Sequence, residues 1–446
     1  MQPEGLAKNS MIAVPRGVIV LLCTGLQLCF GTVYAWSFFQ TMLVRQLGWT
    51  NTDTAMAFGI TIFSLGIAAA WAGMALPKLG PRKLALAGST LFPLGYLIAA
   101  LALEYNNLLL FYFGYGVIGG AGIGFGYVTP VATAAKWFPD RKGLATGLVV
   151  MGFGVGAFLF SQLLAPFLVV QTNEDLPQIF MWLGIIFAAI LIPFSLFIVD
   201  PPESFAPPAG SAPAPPEPIG ADHPRFVRRC LLSREFIIIW LIFFFNISAG
   251  ISVISFQSPL LQDVWGIADP NLDPLILAEY GAMLIAVSSL FNGLGRLVWG
   301  LLSDHIGRVT VFRILLASQM IVFAILMTER DPWVFSALVC YILLCFGGGF
   351  ATMPSFIIDV FGSKNMSAIY GAMLTAWAAA GIVGPLYVGY YKDFHPDRAV
   401  IYCFLIGMLI LGLGLIFSFL LDAERIRLAK PSMEGTLRHY GIPAPR

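Results

Sequence analysis

The chain has 446 residues, of which 58% are hydrophobic and only 11% are charged, and its formal net charge is +1. Ordinary soluble domains carry about 25% charged residues, so this composition excludes a water-soluble globular protein. The near-zero net charge gives no indication of a nucleic-acid partner.

Apolar runs of about 20 residues, long enough to cross a bilayer as a helix, recur along the whole chain. The first run is longer than the apolar region of a secretory signal and ends without a clear cleavage site, so we interpret it as a retained helix. The pattern predicts an all-α polytopic membrane protein surrounded by lipid. Its predicted helices lie near 17–39, 54–77, 83–103, 108–135, 143–168, 178–199, 236–261, 278–303, 309–328, 332–358, 366–391 and 399–421.

The basic residues are distributed unequally between the two sides of the membrane. Twenty of the 25 Lys and Arg residues fall in segments on the same side as the termini. Four fall on the other side, namely Arg45, Arg330, Lys392 and Arg398. Because basic residues accumulate in cytoplasmic loops, both termini are predicted to be cytoplasmic, in a protein of the cell membrane.

A proline-rich segment separates the sixth and seventh predicted helices. It contains eight prolines between positions 201 and 218, followed by Arg225, Arg228 and Arg229. Such a composition cannot bury a core and is typical of a linker. The predicted organisation is a cytoplasmic N-terminal segment (1–16), a six-helix half (17–199), a cytoplasmic linker (200–235), a second six-helix half (236–421) and a cytoplasmic tail (422–446).

Similar loops follow the second and eighth predicted helices, which indicates duplication of a six-helix unit. The later copy, Gly300-Leu301-Leu302-Ser303-Asp304-His305-Ile306-Gly307-Arg308, resembles the G-x-x-x-D-x-x-G-R loop of the major facilitator superfamily. This resemblance implies a conformational latch made by Asp304 and Arg308, with Arg82 as the counterpart in the first half. The corresponding stretch of the first half ends at Lys78 and has no acidic residue where one is usual, so we expect a weaker latch there.

Four further motifs narrow the resemblance to the oxalate/formate antiporter family, relatives of the monocarboxylate transporters. The resemblance implies a twelve-helix fold whose two six-helix halves rock about a mid-membrane site to give alternating access. It also implies a substrate-binding arginine at position 296. The motifs are Gly124-Phe125-Gly126-Tyr127-Val128-Thr129-Pro130, the segment from Lys136 to Gly147, Asn292-Gly293-Leu294-Gly295-Arg296, and Tyr370-Gly371.

Arg296 is the only formally charged side chain deep inside any predicted helix. A charge at the bilayer centre costs about 2.5 to 3.5 kcal/mol on insertion scales, so an intramembrane arginine indicates function. Its planar fork fits a carboxylate through two charge-assisted hydrogen bonds. Asn292 lies one turn earlier, and with Ser288 or Ser289 it extends a polar stripe that should face the interior. The alternative is that Arg296 braces the cytoplasmic end of its helix.

Other candidate substrate-binding residues are polar or aromatic side chains in three helices. Gln27 and Tyr34 share a face of the first helix, and Tyr127 lies in the fourth. The family resemblance implies that both tyrosines line the cavity. Phe346 and Phe350 flank three glycines in the tenth helix and are candidates for walls of the site. For each of these residues, packing between helices remains the alternative.

Two departures from the related carriers bear on the substrate. Trp377 stands where an oxalate carrier is expected to have a second cation, so a second carboxylate would be left unpaired. This disfavours oxalate and favours a monocarboxylate. Asn292 stands where animal monocarboxylate carriers are expected to have an aspartate, so the proton route is open, with Glu279, Asp304 and Asp359 as candidates.

The sequence therefore predicts a secondary transporter of a small monocarboxylate anion of the lactate, pyruvate or formate class, with proton (H+) coupling left open. The alternatives are an oxalate:formate-type exchanger and, less favoured, a transporter-like carboxylate sensor. We expect a monomer. We also expect no cofactor or metal, because the cysteines lack CxxC spacing and every histidine lies outside the predicted helices. Walker and HExxH motifs are absent from the sequence, so an enzyme is not predicted.

Overall fold

The computed structural model describes residues 15–138, 142–202, 225–362 and 364–421. Within these ranges the regular structure is helical, and twelve helices are long and apolar enough to cross a membrane. The predicted all-α architecture is confirmed. The twelve are α1 (Arg16–Ala35), α2 (Asn51–Leu79), α3 (Pro81–Glu104), α4 (Leu108–Trp137), α5 (Ala145–Gln171), α6 (Leu176–Leu196), α7 (Arg234–Ala268), α8 (Pro274–Ile306), α9 (Arg308–Leu326), α10 (Pro332–Phe361), α11 (Met366–Phe394) and α12 (Pro396–Ser418).

The helix ends differ from the prediction where a helix leaves its apolar run. The prediction ends the seventh helix at 261, whereas α7 continues to Ala268 past the polar residues Gln262 and Asp263. The first predicted helix is divided, since α1 is followed by a separate helix, Ser37–Leu47. Hydropathy detects the membrane-crossing part of a helix and not its polar extension into water.

The helices form two six-helix halves, α1–α6 and α7–α12, that meet along two pairs of helices. One pair is α5 and α8, and the other is α2 and α11. Glycines allow the second pair to approach closely: Gly59, Gly66 and Gly73 recur every seven residues, on one face of α2. A Cβ on Gly73 would lie 2.3 Å from the carbonyl oxygen of Ser367 in α11. We call this line of contact the α2–α11 seam.

The predicted linker and termini lie largely outside the described residues, which omit 1–14, 203–224 and 422–446. The end of the linker that is described forms a short helix, Phe226–Leu231, that packs against the first turns of α11. Phe226 and Cys230 are buried there. Burial raises the pKa of the Cys230 thiol to about 11, so the thiol stays protonated near neutral pH.

The α2–α11 seam leads to a first prediction, on stability. A Cβ on Gly66 would lie 2.7 Å from the carbonyl oxygen of Leu374 and 2.8 Å from the backbone nitrogen of Ala378. Backbone atoms cannot rotate away, so Gly66→Ala should destabilise the protein by about 1 to 3 kcal/mol, as overpacking does. The measurement is the unfolding temperature in detergent.

Gly300→Ala is the matched control, because the nearest atom to its added Cβ is 3.7 Å away, at ordinary contact distance. Both substitutions gain the same helix propensity. An unfolding temperature for Gly66→Ala as high as that for Gly300→Ala would contradict the prediction.

Candidate functional site

Arg296 lies on α8 at the contact between the two halves and is 1% exposed. Its Nη1 donates a hydrogen bond to the carbonyl oxygen of Val150 in α5, at 2.6 Å. Among the described residues, its Nε and Nη2 form no hydrogen bond of regular geometry. Within the described part of the chain, no carboxylate forms an ion pair with Arg296. The guanidinium therefore carries a buried positive charge without a counter-ion among these residues.

The approach of α5 and α8 around Arg296 depends on small residues. A Cβ on Gly154 would lie 3.0 Å from the backbone nitrogen of Gly293 and 3.2 Å from Nε of Arg296. Ser289, two turns before Arg296 on α8, donates to the carbonyl oxygen of Gly154 at 2.6 Å and accepts from the backbone N–H of Phe158 at 3.1 Å. The polar stripe of α8 thus bonds directly to the backbone of the other half.

Aromatic side chains enclose the guanidinium. Its central carbon lies 5.9 Å from the ring centroid of Phe153 and 5.5 Å from that of Phe350, within cation–π range. The ring of Tyr34 packs edge-on against Phe153 at 5.2 Å, and Trp377 packs against Phe350 at 4.7 Å. We call this group of aromatic residues the Arg296 cage; it consists of Tyr34, Tyr127, Phe153, Phe346, Phe350 and Trp377. No ring of the cage is more than 2% exposed.

In the part of the chain that the structure describes, the cage and its neighbours carry many buried polar atoms that form no hydrogen bond of regular geometry. Burying a polar group without a partner is costly, so such atoms are rare in folded proteins. Here most of them are donors, and donors surround an anion more readily than a cation. The donor groups are the hydroxyls of Tyr34, Tyr127 and Tyr370, Nε1 of Trp377, and Nε and Nη2 of Arg296; the acceptors are Oε1 of Gln27 and Oδ1 of Asn292.

Two predicted polar residues lie at the edge of this group. Gln27 donates from Nε2 to the backbone carbonyl of Tyr127 at 2.8 Å and so ties α1 to α4. The carboxamide of Asn292 faces α10, since a Cβ on Gly347 would lie 2.7 Å from its Oδ1. Both therefore contact neighbouring helices, and their binding of a ligand remains a prediction.

Phe153 and Tyr370 belong to the site but are missing from the predicted site residues. Phe153 contacts two cage tyrosines and Trp377, with ring centroids 5.0 to 5.9 Å apart. Tyr370 is 1% exposed, and its hydroxyl lies close to Tyr127 and Arg296. In the sequence, the Tyr-Gly motif could have identified Tyr370 as a site residue. Phe153 is marked only by its two flanking glycines.

The predicted latch residues are divided between the halves, with Arg82 in the first half and Asp304 and Arg308 in the second. Arg308 forms ion pairs with Asp304 at 2.6 Å and with Asp359 at 3.1 Å, joining the ends of α8, α9 and α10. It also donates to the hydroxyl of Ser303. Arg82 is exposed in the other half, and no ion pair of Arg82 occurs among the described residues. The Asp304–Arg308 contact is internal to the second half, and its role as a latch stays a prediction.

A sequence model of the Major Facilitator Superfamily matches residues 21–385. The oxalate:formate antiporter of Oxalobacter formigenes is 26% identical, over 86% of this chain and 85% of that protein. Apicoplast pyruvate carrier 1 of Toxoplasma gondii is 25% identical, over 84% of this chain and 82% of that protein.

A solved structure shares the fold. A bacterial homologue of the human lysosomal transporter Spinster, in an inward-facing conformation, superposes with a TM-score of 0.69 at 15% identity. The superposition covers 93% of this chain and 98% of that one. The twelve-helix arrangement in two halves is therefore that of a known transporter fold.

The cage leads to a second prediction, on the role of Phe153. Phe153→Leu keeps the site apolar but removes one of the two rings that face the guanidinium. If the site binds a small carboxylate such as lactate, as the sequence predicts, the loss of a cation–π contact worth about 0.5 to 2 kcal/mol should weaken that binding by about 2- to 30-fold. The measurement is a lactate titration of the purified protein by tryptophan fluorescence or calorimetry.

Phe187→Leu is the control, because Phe187 is equally buried but packs against Phe92 and Tyr96 in the core of the first half. It should leave the affinity unchanged. Equal affinities for the two variants would exclude Phe153 from the site.

Proposed function

The chain belongs to the Major Facilitator Superfamily, and from this premise we propose that this multi-pass membrane transporter carries a small monocarboxylate of the lactate, pyruvate or formate class by alternating access. The observation that supports this most is Arg296, a buried guanidinium of which two nitrogens form no regular hydrogen bond to the described residues, among hydroxyl and indole donors. A cation in such surroundings needs an anion. A carboxylate supplies one with the matching planar geometry.

Binding would use groups from both halves of the transporter. One carboxylate accepts hydrogen bonds from Nε and Nη2 of Arg296, and its remaining lone pairs accept from the hydroxyls of Tyr34, Tyr127 and Tyr370. The first two tyrosines belong to the first half, and Arg296 and Tyr370 belong to the second. Because the substrate interacts best when both halves surround it, it favours the occluded conformation and lowers the cost of passing through it.

A single carboxylate fits these surroundings better than two. Arg296 is the only cation in the group, and Trp377 occupies the helix position where a second cation is expected in oxalate carriers. A second carboxylate would be desolvated against rings without a charged partner. Two relatives, an oxalate:formate antiporter and a pyruvate carrier, support a small carboxylate but differ on its identity.

Exchange of two anions is the second candidate, and the antiporter relative favours it. The proposed proton carriers Asp304 and Asp359 both pair with Arg308, and Glu279 is exposed. Proteoliposomes separate the two modes. Uptake driven by a pH gradient into vesicles without internal substrate supports symport, whereas uptake only into preloaded vesicles supports exchange.

We extend the proposal to topology and organisation. The distribution of Lys and Arg supports cytoplasmic termini in the cell membrane. The two halves at 17–199 and 236–421 would act as rigid bodies joined by the linker at 200–235, in a monomer. Labelling of a terminal tag from one side of the membrane tests this orientation.

The third prediction concerns the charge of Arg296. Arg296→Gln removes the only cation of the group and should abolish both lactate-dependent thermal stabilisation and uptake in proteoliposomes. Arg296→Lys keeps the charge but loses the planar fork, so it should bind at least about tenfold more weakly. Full transport by Arg296→Gln would contradict the proposed role.

The fourth prediction concerns the hydroxyl of Tyr370. Tyr370→Phe preserves the ring and removes one donor. A hydrogen bond to a charged group is worth about 1.5 to 3 kcal/mol, so lactate should bind about 10- to 150-fold more weakly. The measurement is the same titration as for Phe153→Leu.

Tyr115→Phe is the matched control, because Tyr115 is also buried but packs against Tyr96 and Phe111 in the first half. It should leave the affinity for lactate unchanged. Native affinity in Tyr370→Phe would remove this hydroxyl from the proposed binding mode.

A further inference from the structure

A carboxylate joins the two halves at the end of the α2–α11 seam that lies opposite the chain termini. Asp393, near the end of α11, accepts hydrogen bonds from the first residues of α2. Its Oδ1 accepts from the backbone N–H of Asn51 at 3.0 Å and from Nδ2 of Asn51 at 2.9 Å. Its Oδ2 accepts from the backbone N–H of Thr52 at 2.8 Å and from the hydroxyl of Thr52 at 2.5 Å.

These four bonds are stronger than ordinary contacts between helices. The first N–H groups of a helix have no partner within the helix, and the helix dipole places partial positive charge there. An ionised carboxylate bonded to two such N–H groups gains both charge-assisted hydrogen bonds and the interaction with the dipole.

The helix itself does not need Asp393 as a cap. Thr50 and Asp53 form a capping box at the same end of α2. The backbone N–H of Asp53 donates to the Thr50 hydroxyl at 3.0 Å, and the backbone N–H of Thr50 donates to Asp53 at 2.9 Å. Because α2 is capped by its own residues, the bonds from Asp393 serve the contact between the halves.

The surrounding residues hold both sides of this contact in place. Gly389, one turn before Asp393 on α11, allows the approach, since a Cβ there would lie 2.9 Å from the carbonyl oxygen of Asn51. Lys392 pairs with Asp263 of α7 at 2.5 Å and fixes the end of α11 within its own half. On the other side, Gln40 donates to Oδ1 of Asn51 at 3.3 Å.

We propose that Asp393 is the latch that closes the predicted outer end of the transporter, by capping α2 across the boundary between the halves. The inference rests on alternating access as part of the proposed function. Opening toward that end separates α11 from the start of α2 and breaks all four bonds. Asp393 therefore determines how much of the protein is open at this end, independently of which substrate is carried.

The fifth prediction tests this latch by distance measurement. Spin labels are placed at Glu104→Cys and Asn271→Cys, two exposed positions that lie in opposite halves at the same end of the protein. Pulsed electron paramagnetic resonance measures the distance between the two labels, which becomes longer when this end opens. The background is a cysteine-free variant of the full chain with native unfolding temperature, measured without added carboxylate. Asp393→Ala should raise the ratio of open to closed protein by about tenfold or more, since several charge-assisted bonds are lost.

Asp53→Asn is the matched control. It alters a carboxylate at the same helix end, but one that bonds only within α2, and should leave the distance distribution unchanged. Thr52→Val removes one of the four bonds and keeps the carboxylate, so it should give a smaller shift in the same direction. This milder variant also carries the test if Asp393→Ala does not fold.

The outcomes separate the latch from the substrate assignment. The proposed role of Asp393 would be contradicted by an unchanged distance distribution in both Asp393→Ala and Thr52→Val, or by an equal shift in Asp53→Asn. A shift specific to Asp393→Ala and Thr52→Val supports it whatever anion the protein carries. If lactate binding fails while this shift is present, only the substrate assignment is lost.

Discussion

The buried charge of Arg296 is the constraint around which this protein is organised. The guanidinium donates to the carbonyl of Val150 and has exchanged most of its hydration for two aromatic faces and this backbone oxygen. Rings offset part of the desolvation cost but supply no negative charge. In the proposed function, a bound anion supplies the remaining stabilisation, and the charge serves transport at a cost to stability.

The contact between the halves follows from the same geometry. Arg296 and Ser289 reach across to carbonyls of α5 four residues apart, at Val150 and Gly154. Ser289 bonds both the carbonyl of Gly154 and the N–H of Phe158, two groups that pair with each other in an uninterrupted α-helix. These side chains can reach the backbone of α5 because the residue at the contact, Gly154, has no side chain of its own. Near Arg296, the contact between α5 and α8 is therefore made in part by directional bonds, which can break together when the halves rock.

The sequence reveals the parts of this arrangement that carry a local signal. Twelve apolar runs determine the helices, and the cost of a charge in lipid singles out Arg296 without any structure. Phe153 carries no such signal, because one more phenylalanine in an apolar helix looks like lipid-facing or packing surface. The polar extension of α7 was missed because hydropathy falls where the helix leaves the membrane. Asp393 was missed because its partner Thr52 is 341 residues away in the chain.

In the proposed transport cycle, Arg296 controls which substrate is carried and Asp393 controls the closure of the outer end. A substrate shifts a conformational equilibrium only by its difference in affinity between two states, and the cage provides that difference because both halves contribute to it. In this proposal the bonds of Asp393 contribute equally with any substrate, because Asp393 lies about four helical turns along α11 from Trp377 of the cage. Contributions from separate, non-contacting sites usually add. The cage can therefore change its specificity without changing the closure of the outer end, and Asp393 can tune that closure without changing what is carried.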